Sequence, residues 1–95
     1  MELTIGSRVV LLRNMLGEHG GSVGYVCNVY RDFDNPSKQG VQVIFSGGGF
    51  DGFSQQEQDL YLEHRGDDPR YSTYNFKNVL QVEKDFRNGL WKFYE

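Results

Sequence analysis

The chain has 95 residues, of which 38% are hydrophobic, 24% charged and 15% aromatic, and its formal net charge is −3. This length predicts one domain, spanning residues 1–95, with a single core. The negative balance argues against a general polyanion-binding surface, because such surfaces need an excess of clustered Lys and Arg. The one cysteine, Cys27, excludes an internal disulfide.

The N-terminal segment lacks the basic region and the apolar run of a secretory signal. No stretch reaches the ~18 consecutive apolar residues that indicate a membrane-spanning helix. These patterns predict a cytoplasmic protein with no membrane partner.

The first half of the chain predicts strands separated by glycine-containing turns. The apolar run at 8–13 indicates a first strand, and a loop at 14–21 separates it from the longest strand, at 23–33. In that long strand the two-residue periodicity places Tyr30 on the face opposite the core. The core face of the same strand is predicted to hold Val23, Tyr25, Cys27 and Val29.

The glycine run at 47–49 indicates a tight turn between a strand at 41–46 and another that begins at Phe50. Glycine suits such turns because it adopts the positive φ that they require. Phe50 and Phe53 are separated by an odd number of residues, so a regular strand places them on opposite faces. A bulge at Gly52 would instead let both rings point inward.

The second half of the chain favours helical structure. The sequence Ser54-Gln55-Gln56-Glu57 has the spacing of a capping box and predicts a helical turn over 55–59, after which 60–62 continues as a strand or ends the helix. Residues 76–88 fit either one amphipathic helix or a strand at 78–82 followed by a short helix at 83–88 that ends at Gly89. We favour the second interpretation, with 83–95 as a C-terminal extension packed on a small barrel formed by the strands.

Three segments carry a resemblance to a known fold, namely 6–11, 21–26 and 41–45. With the order of elements over 6–54 and 76–82, they resemble an SH3-like small barrel, and 21–26 is similar to the Gly-x-x-Gly-x-Val strand start of KOW-type barrels. The chain is also similar in style to short bacterial and phage proteins. The resemblance implies a mainly β fold, an SH3-like small antiparallel barrel with a short helix and a C-terminal extension. Proteins with such folds bind proline-rich peptides, nucleic acids or protein surfaces.

The residues that could support catalysis or metal binding are sparse. His19, His64 and Cys27 are the strongest transition-metal ligands, and none has a partner at ligand spacing. The aspartates at 32 and 34 begin no EF-hand loop, because the sixth and twelfth positions hold Ser37 and Val43. Nothing ties a serine nucleophile to a histidine base. The sequence therefore predicts a non-enzymatic protein with no cofactor and no metal site.

The predicted sheet offers one candidate binding surface, which is aromatic and acidic. Its residues are Tyr30, Asp32, Phe50, Asp51 and Phe53. Exposed aromatic side chains suit the centre of an interface, and a rim formed by these acids with Asp34 would steer a basic partner. The sequence thus predicts a protein-interaction module of unknown partner and unknown oligomeric state.

The alternative function is nucleic-acid binding by a small barrel. It requires that folding gather four basic residues on one sheet, with tyrosines stacking on bases. These residues are Arg8, Arg13, Arg31 and Lys38.

Overall fold

The computed structural model describes residues 2–15, 17–31, 34–35, 37–46, 49–67 and 79–89. In chain order the elements are β1 (Ser7–Leu11), β2 (Val23–Arg31), β3 (Gln39–Phe45), β4 (Phe50–Phe53), α1 (Gln55–Tyr61), β5 (Leu62–Asp67) and α2 (Val79–Arg87). The expected class, mainly β with minor helix, is confirmed.

The strands form one antiparallel sheet of five strands in the order β4-β3-β2-β1-β5. Strands β1 to β3 each pair with the next strand along the chain, and α1 carries the chain back from β4 so that β5 pairs with β1. The sheet is not closed, because no ladder joins β4 to β5 within the described residues.

A bulge interrupts the ladder between β2 and β3. Val26 pairs with Val43, but Asn28 pairs with Gln42, so Cys27 is an extra residue in β2. A bulge of this kind reverses the alternation of side chains beyond it.

Because of this reversal, the predicted sharing of one face by Tyr25, Cys27 and Val29 is wrong. Val29 lies on the side of Val26 and packs on the core there, instead of sharing a face with Tyr25. Tyr30 lies on the same side as Tyr25, since their partners Gly40 and Ile44 are an even number of residues apart.

The sheet buries apolar side chains on both faces. The inner core comprises Leu3, Val9, Leu11, Val26, Val41, Val43, Phe45, Phe53 and Leu62. The outer cluster comprises Tyr25, Cys27, Ile44 and Val82, with Phe50 packed against it. Because Val82 belongs to α2, this helix covers part of the outer face.

The predicted capping box is confirmed and starts α1. Ser54 Oγ accepts a hydrogen bond from the Glu57 N–H at 3.2 Å, and the Glu57 carboxylate accepts one from the Ser54 N–H at 3.0 Å. The helix ends at Tyr61, and Leu62 begins β5. Buried Gln58 fastens this helix to the sheet, because its Nε2 donates to the carbonyls of Gln39 at 2.6 Å and Phe53 at 3.3 Å.

The favoured strand at 78–82 is wrong, because Val79–Arg87 is a helix. Val82 is fully buried whereas Leu80 is 72% exposed. Residues two apart share a face in a strand but point in nearly opposite directions in a helix, so this contrast fits a helix. The helix ends near Gly89 as predicted, since Gly89 has a φ of 76° just after the helix. The predicted packing of 90–95 lies outside the described residues.

Replacing Phe53 tests the inner core. Its ring is fully buried and meets Phe45 edge to face, with centroids 6.1 Å apart. We expect Phe53→Ala to lower the free energy of unfolding in urea by about 3–5 kcal/mol, because it leaves a cavity. The exposed Leu80→Ala is the control, with an expected change within about 0.5 kcal/mol. Equal losses in the two variants would contradict this assignment of the core.

Candidate functional site

The two phenylalanines of β4 lie on opposite faces of the sheet, as a regular strand requires. Phe53 pairs with Val41 on the inner side and is fully buried, and Phe50 pairs with Ile44 on the outer side. Phe50 is half-buried against the outer cluster. The ladder is regular through Gly52, so the alternative of a bulge there is wrong. Phe53 therefore presents no surface to a partner.

The sheet also separates the other residues of the predicted binding surface. Asp51 pairs with Val43 and lies on the inner side, whereas Tyr30 is on the outer side. Tyr30 and Phe50 share that side, but their positions differ by four residues along β3, or about 13 Å. Asp32 lies outside the described residues. The described members therefore do not form one aromatic and acidic patch.

Tyr30 is held across two glycines of the neighbouring strands. Its side chain is 47% exposed. A Cβ added at Gly40 would lie 2.5 Å from the ring atom Cζ, and one added at Gly52 would lie 3.4 Å from the phenol oxygen. The ring thus extends from β2 over β3 towards β4, through space that the absence of a side chain at Gly40 leaves open.

A groove opens beside this ring, between the end of the β2–β3 hairpin and the start of α1. Its volume is about 290 Å³. This is close to the lower end of the range for small-ligand sites, roughly 300–1,000 Å³. We call it the Tyr30 groove, and its lining comprises Tyr30, Lys38, Gln39, Gly40, Ser54, Gln55 and Gln56.

Hydrogen bonds hold the walls of the groove together. The Gln39 N–H donates to Gln55 Oε1 at 3.2 Å, and the Gln39 carbonyl accepts from Gln58 Nε2 at 2.6 Å. The first residue of β3 is therefore bound to α1 through both of its backbone polar groups. These bonds fix the separation of the two walls.

The structure does not gather the four basic residues into one surface. Arg31 pairs with Gln39 at the end of the hairpin that also carries Lys38. Arg8 pairs with Tyr25, six residues or about 20 Å away along β2. Arg13 is exposed beyond the end of β1.

A cluster of Ser7, His64 and Asp67 joins the start of β1 to the end of β5. Ser7 Oγ donates to Asp67 Oδ1 at 2.6 Å and accepts from the Thr4 N–H at 2.9 Å. His64 Nε2 lies 3.1 Å from the same carboxylate oxygen. No sequence signal indicates this contact, because Ser7 and Asp67 are 60 positions apart.

This cluster lacks the geometry of a nucleophilic site. In a catalytic triad the histidine contacts the serine hydroxyl and the carboxylate lies behind it. Here the carboxylate lies between the other two, and Ser7 is fully buried. The hydrogen bond from Ser7, followed by that from His64, lowers the pKa of Asp67 below its usual 3.8. The cluster therefore acts as a structural link between two strands.

The thiol of Cys27 is also unsuited to nucleophilic catalysis. Burial raises the pKa of its thiol to about 12, and Sγ donates to the Gln42 carbonyl at 3.3 Å. The thiol is therefore protonated near neutral pH and is a poor nucleophile. Within the described residues, no three His, Cys, Asp or Glu side chains are grouped so that they could hold a metal ion.

A search of protein-family models, of curated proteins and of solved structures gives no match to the chain. Neither of the helices in the described ranges is long and apolar enough to cross a membrane.

Substitutions of the two glycines test how Tyr30 is held. In Gly40→Ala the new methyl group would collide with the ring, whereas in Gly52→Ala it makes an ordinary van der Waals contact. We expect Gly40→Ala to shift the NMR resonances of the Tyr30 ring and Gly52→Ala to leave them nearly unchanged. Similar spectra for the two variants would show that the ring does not lie over Gly40.

The link at Asp67 predicts a dependence of stability on pH. The pKa of Asp67 is lower in the folded state than the 3.8 of an ordinary aspartate, so ionised Asp67 adds to the free energy of unfolding. This stabilisation is complete above pH 3.8 and is lost as the pH falls through the lower pKa of the folded state. We expect wild type to exceed Asp67→Asn in its urea midpoint at pH 6, with a gap that narrows towards pH 2. The gap should be small, because the Asp67 side chain is 60% exposed. A gap independent of pH would contradict the prediction.

Proposed function

We propose that the protein is a non-enzymatic interaction module that binds a short segment of a partner protein in the Tyr30 groove. One observation carries the proposal. Tyr30 is 47% exposed, although its ring is held over Gly40 at the side of a groove of about 290 Å³.

A tyrosine held in this way suits an interface anchor. Tyrosine is enriched among the residues that dominate binding energy, because its ring offers apolar area and its hydroxyl a hydrogen bond. The hydrogen bonds between Gln39 and α1 hold the two walls of the groove in place before a ligand binds. Such preorganisation lowers the entropic cost of association.

The proposed contact surface differs from the one predicted from the sequence. It keeps Tyr30 but replaces the aromatic and acidic partners with the polar residues of the groove. Phe53 and Phe50 then serve stability, because each packs in a cluster on its own face of the sheet.

The SH3-like arrangement stays a prediction. The strand order β4-β3-β2-β1-β5 and the position of α1 between β4 and β5 support it. The open sheet and the absence of a matching solved structure count against it.

Nucleic-acid binding has less support. Single-stranded nucleic acid is held by a positively charged groove that follows several phosphates. Among the residues that the structure describes, the lining of the Tyr30 groove has a single cation, Lys38. Arg8 of β1 lies opposite Tyr25, about 20 Å along β2 from Arg31.

Selection from a library of displayed random peptides of about 12 residues tests the proposal. Synthetic peptides from the enriched pool are titrated against wild type, Tyr30→Ala and Tyr30→Phe. We expect Tyr30→Ala to weaken binding at least about fivefold and Tyr30→Phe to retain most of the affinity, because the ring supplies most of the contact area.

The control is Leu80→Ala, which removes an apolar side chain on α2 that is more exposed (72%) than Tyr30 (47%). Circular dichroism of each variant checks that it is folded. Selected peptides that bind Tyr30→Ala as well as wild type would refute the Tyr30 groove as the contact surface. Binding of a single-stranded oligonucleotide with steep salt dependence, without any peptide enrichment, would favour the alternative function.

A further inference from the structure

We propose that the Tyr30 groove selects acidic peptides, with a peptide carboxylate paired to Lys38 and an apolar side chain placed against Tyr30. The inference rests on the proposed function and specifies the chemistry of its ligand. Its basis is the charge of the residues that line the groove.

The groove differs in charge from the protein as a whole. The chain has a formal net charge of −3, but the lining residues that the structure describes include one cation and no carboxylate. Lys38 forms no ion pair with any residue that the structure describes. Its ammonium group is therefore available to an anionic group of a ligand.

The carboxylate nearest to the groove along α1 already accepts a hydrogen bond within the helix. Glu57 follows the last residue lining the groove, and its carboxylate accepts the Ser54 N–H in the capping box. This bond directs the carboxylate to the backbone at the start of the helix.

The backbone of Lys38 is held at the edge of the groove. Its N–H donates to the Asn35 carbonyl at 2.9 Å, and the next residue, Gln39, is bound to α1. The ammonium group remains on a flexible stem, so it can reach carboxylates placed at slightly different depths.

The polar lining fits a peptide rather than a nucleic acid. The side chains of Gln55 and Gln56 carry both donors and acceptors, which match the N–H and C=O groups of a peptide backbone. One lysine can neutralise one carboxylate, whereas single-stranded nucleic acid needs a row of cations. The next basic residue along the hairpin, Arg31, follows Tyr30 in β2 and lies on the other face of the sheet.

The test uses the same peptide library, sequenced before and after selection on wild type. We expect the enriched pool to contain more Asp and Glu than the starting library. A selected peptide should bind Lys38→Gln about two- to fivefold more weakly, as is typical of an exposed ion pair. Its Asp→Asn version should bind wild type and Lys38→Gln equally, since the pair is absent in both complexes.

The matched control is Lys84→Gln, which removes the same charge from an exposed residue of α2. This variant should bind like wild type at equal salt concentration. An enriched pool without excess acid, or equal losses in Lys38→Gln and Lys84→Gln, would overturn the inference. If binding still depends on Tyr30 in that case, the proposed function stands without it, whereas loss of the Tyr30 dependence refutes both.

Discussion

One extra residue in β2, Cys27, decides which side chains reach each face of the sheet. The extra residue shifts the register between β2 and β3. Each side chain of β2 beyond the bulge therefore lies on the face opposite to the one that regular alternation would give it. Val29 therefore packs on the inner core, and Tyr30 lies on the outer face with Tyr25. Without the bulge, the ring of Tyr30 would be directed towards the inner core.

The position of Tyr30 then follows from what covers the outer face. Val82 of α2 packs on Tyr25, Cys27 and Ile44, which lie towards one end of β2 and β3. Tyr30 lies at the other end, opposite Gly40, where its side chain is half-exposed. The same face thus supplies a buried cluster for stability and an accessible aromatic ring for binding.

The contact between α1 and the sheet gives the groove its second wall. Gln58 is almost fully buried, and a buried amide is costly unless its hydrogen bonds are satisfied. Its bonds to the Gln39 and Phe53 carbonyls meet this need and at the same time place Gln55 and Gln56 beside Tyr30. A structural requirement of the helix therefore also determines the shape of the proposed binding site.

Features that arise between near neighbours in the chain could be predicted from the sequence. The capping box joins Ser54 and Glu57, three residues apart, and the end of α2 needs only the positive φ of Gly89. Mainly β structure followed from alternating β-branched and aromatic residues.

The bulge, the helical state of 79–82 and the set of residues that meet in the groove could not be predicted in this way. These features depend on contacts between residues far apart in sequence, such as Val82 with the outer cluster and Gln58 with Gln39. Strand propensity cannot predict them, because long-range packing chooses between local alternatives of similar free energy.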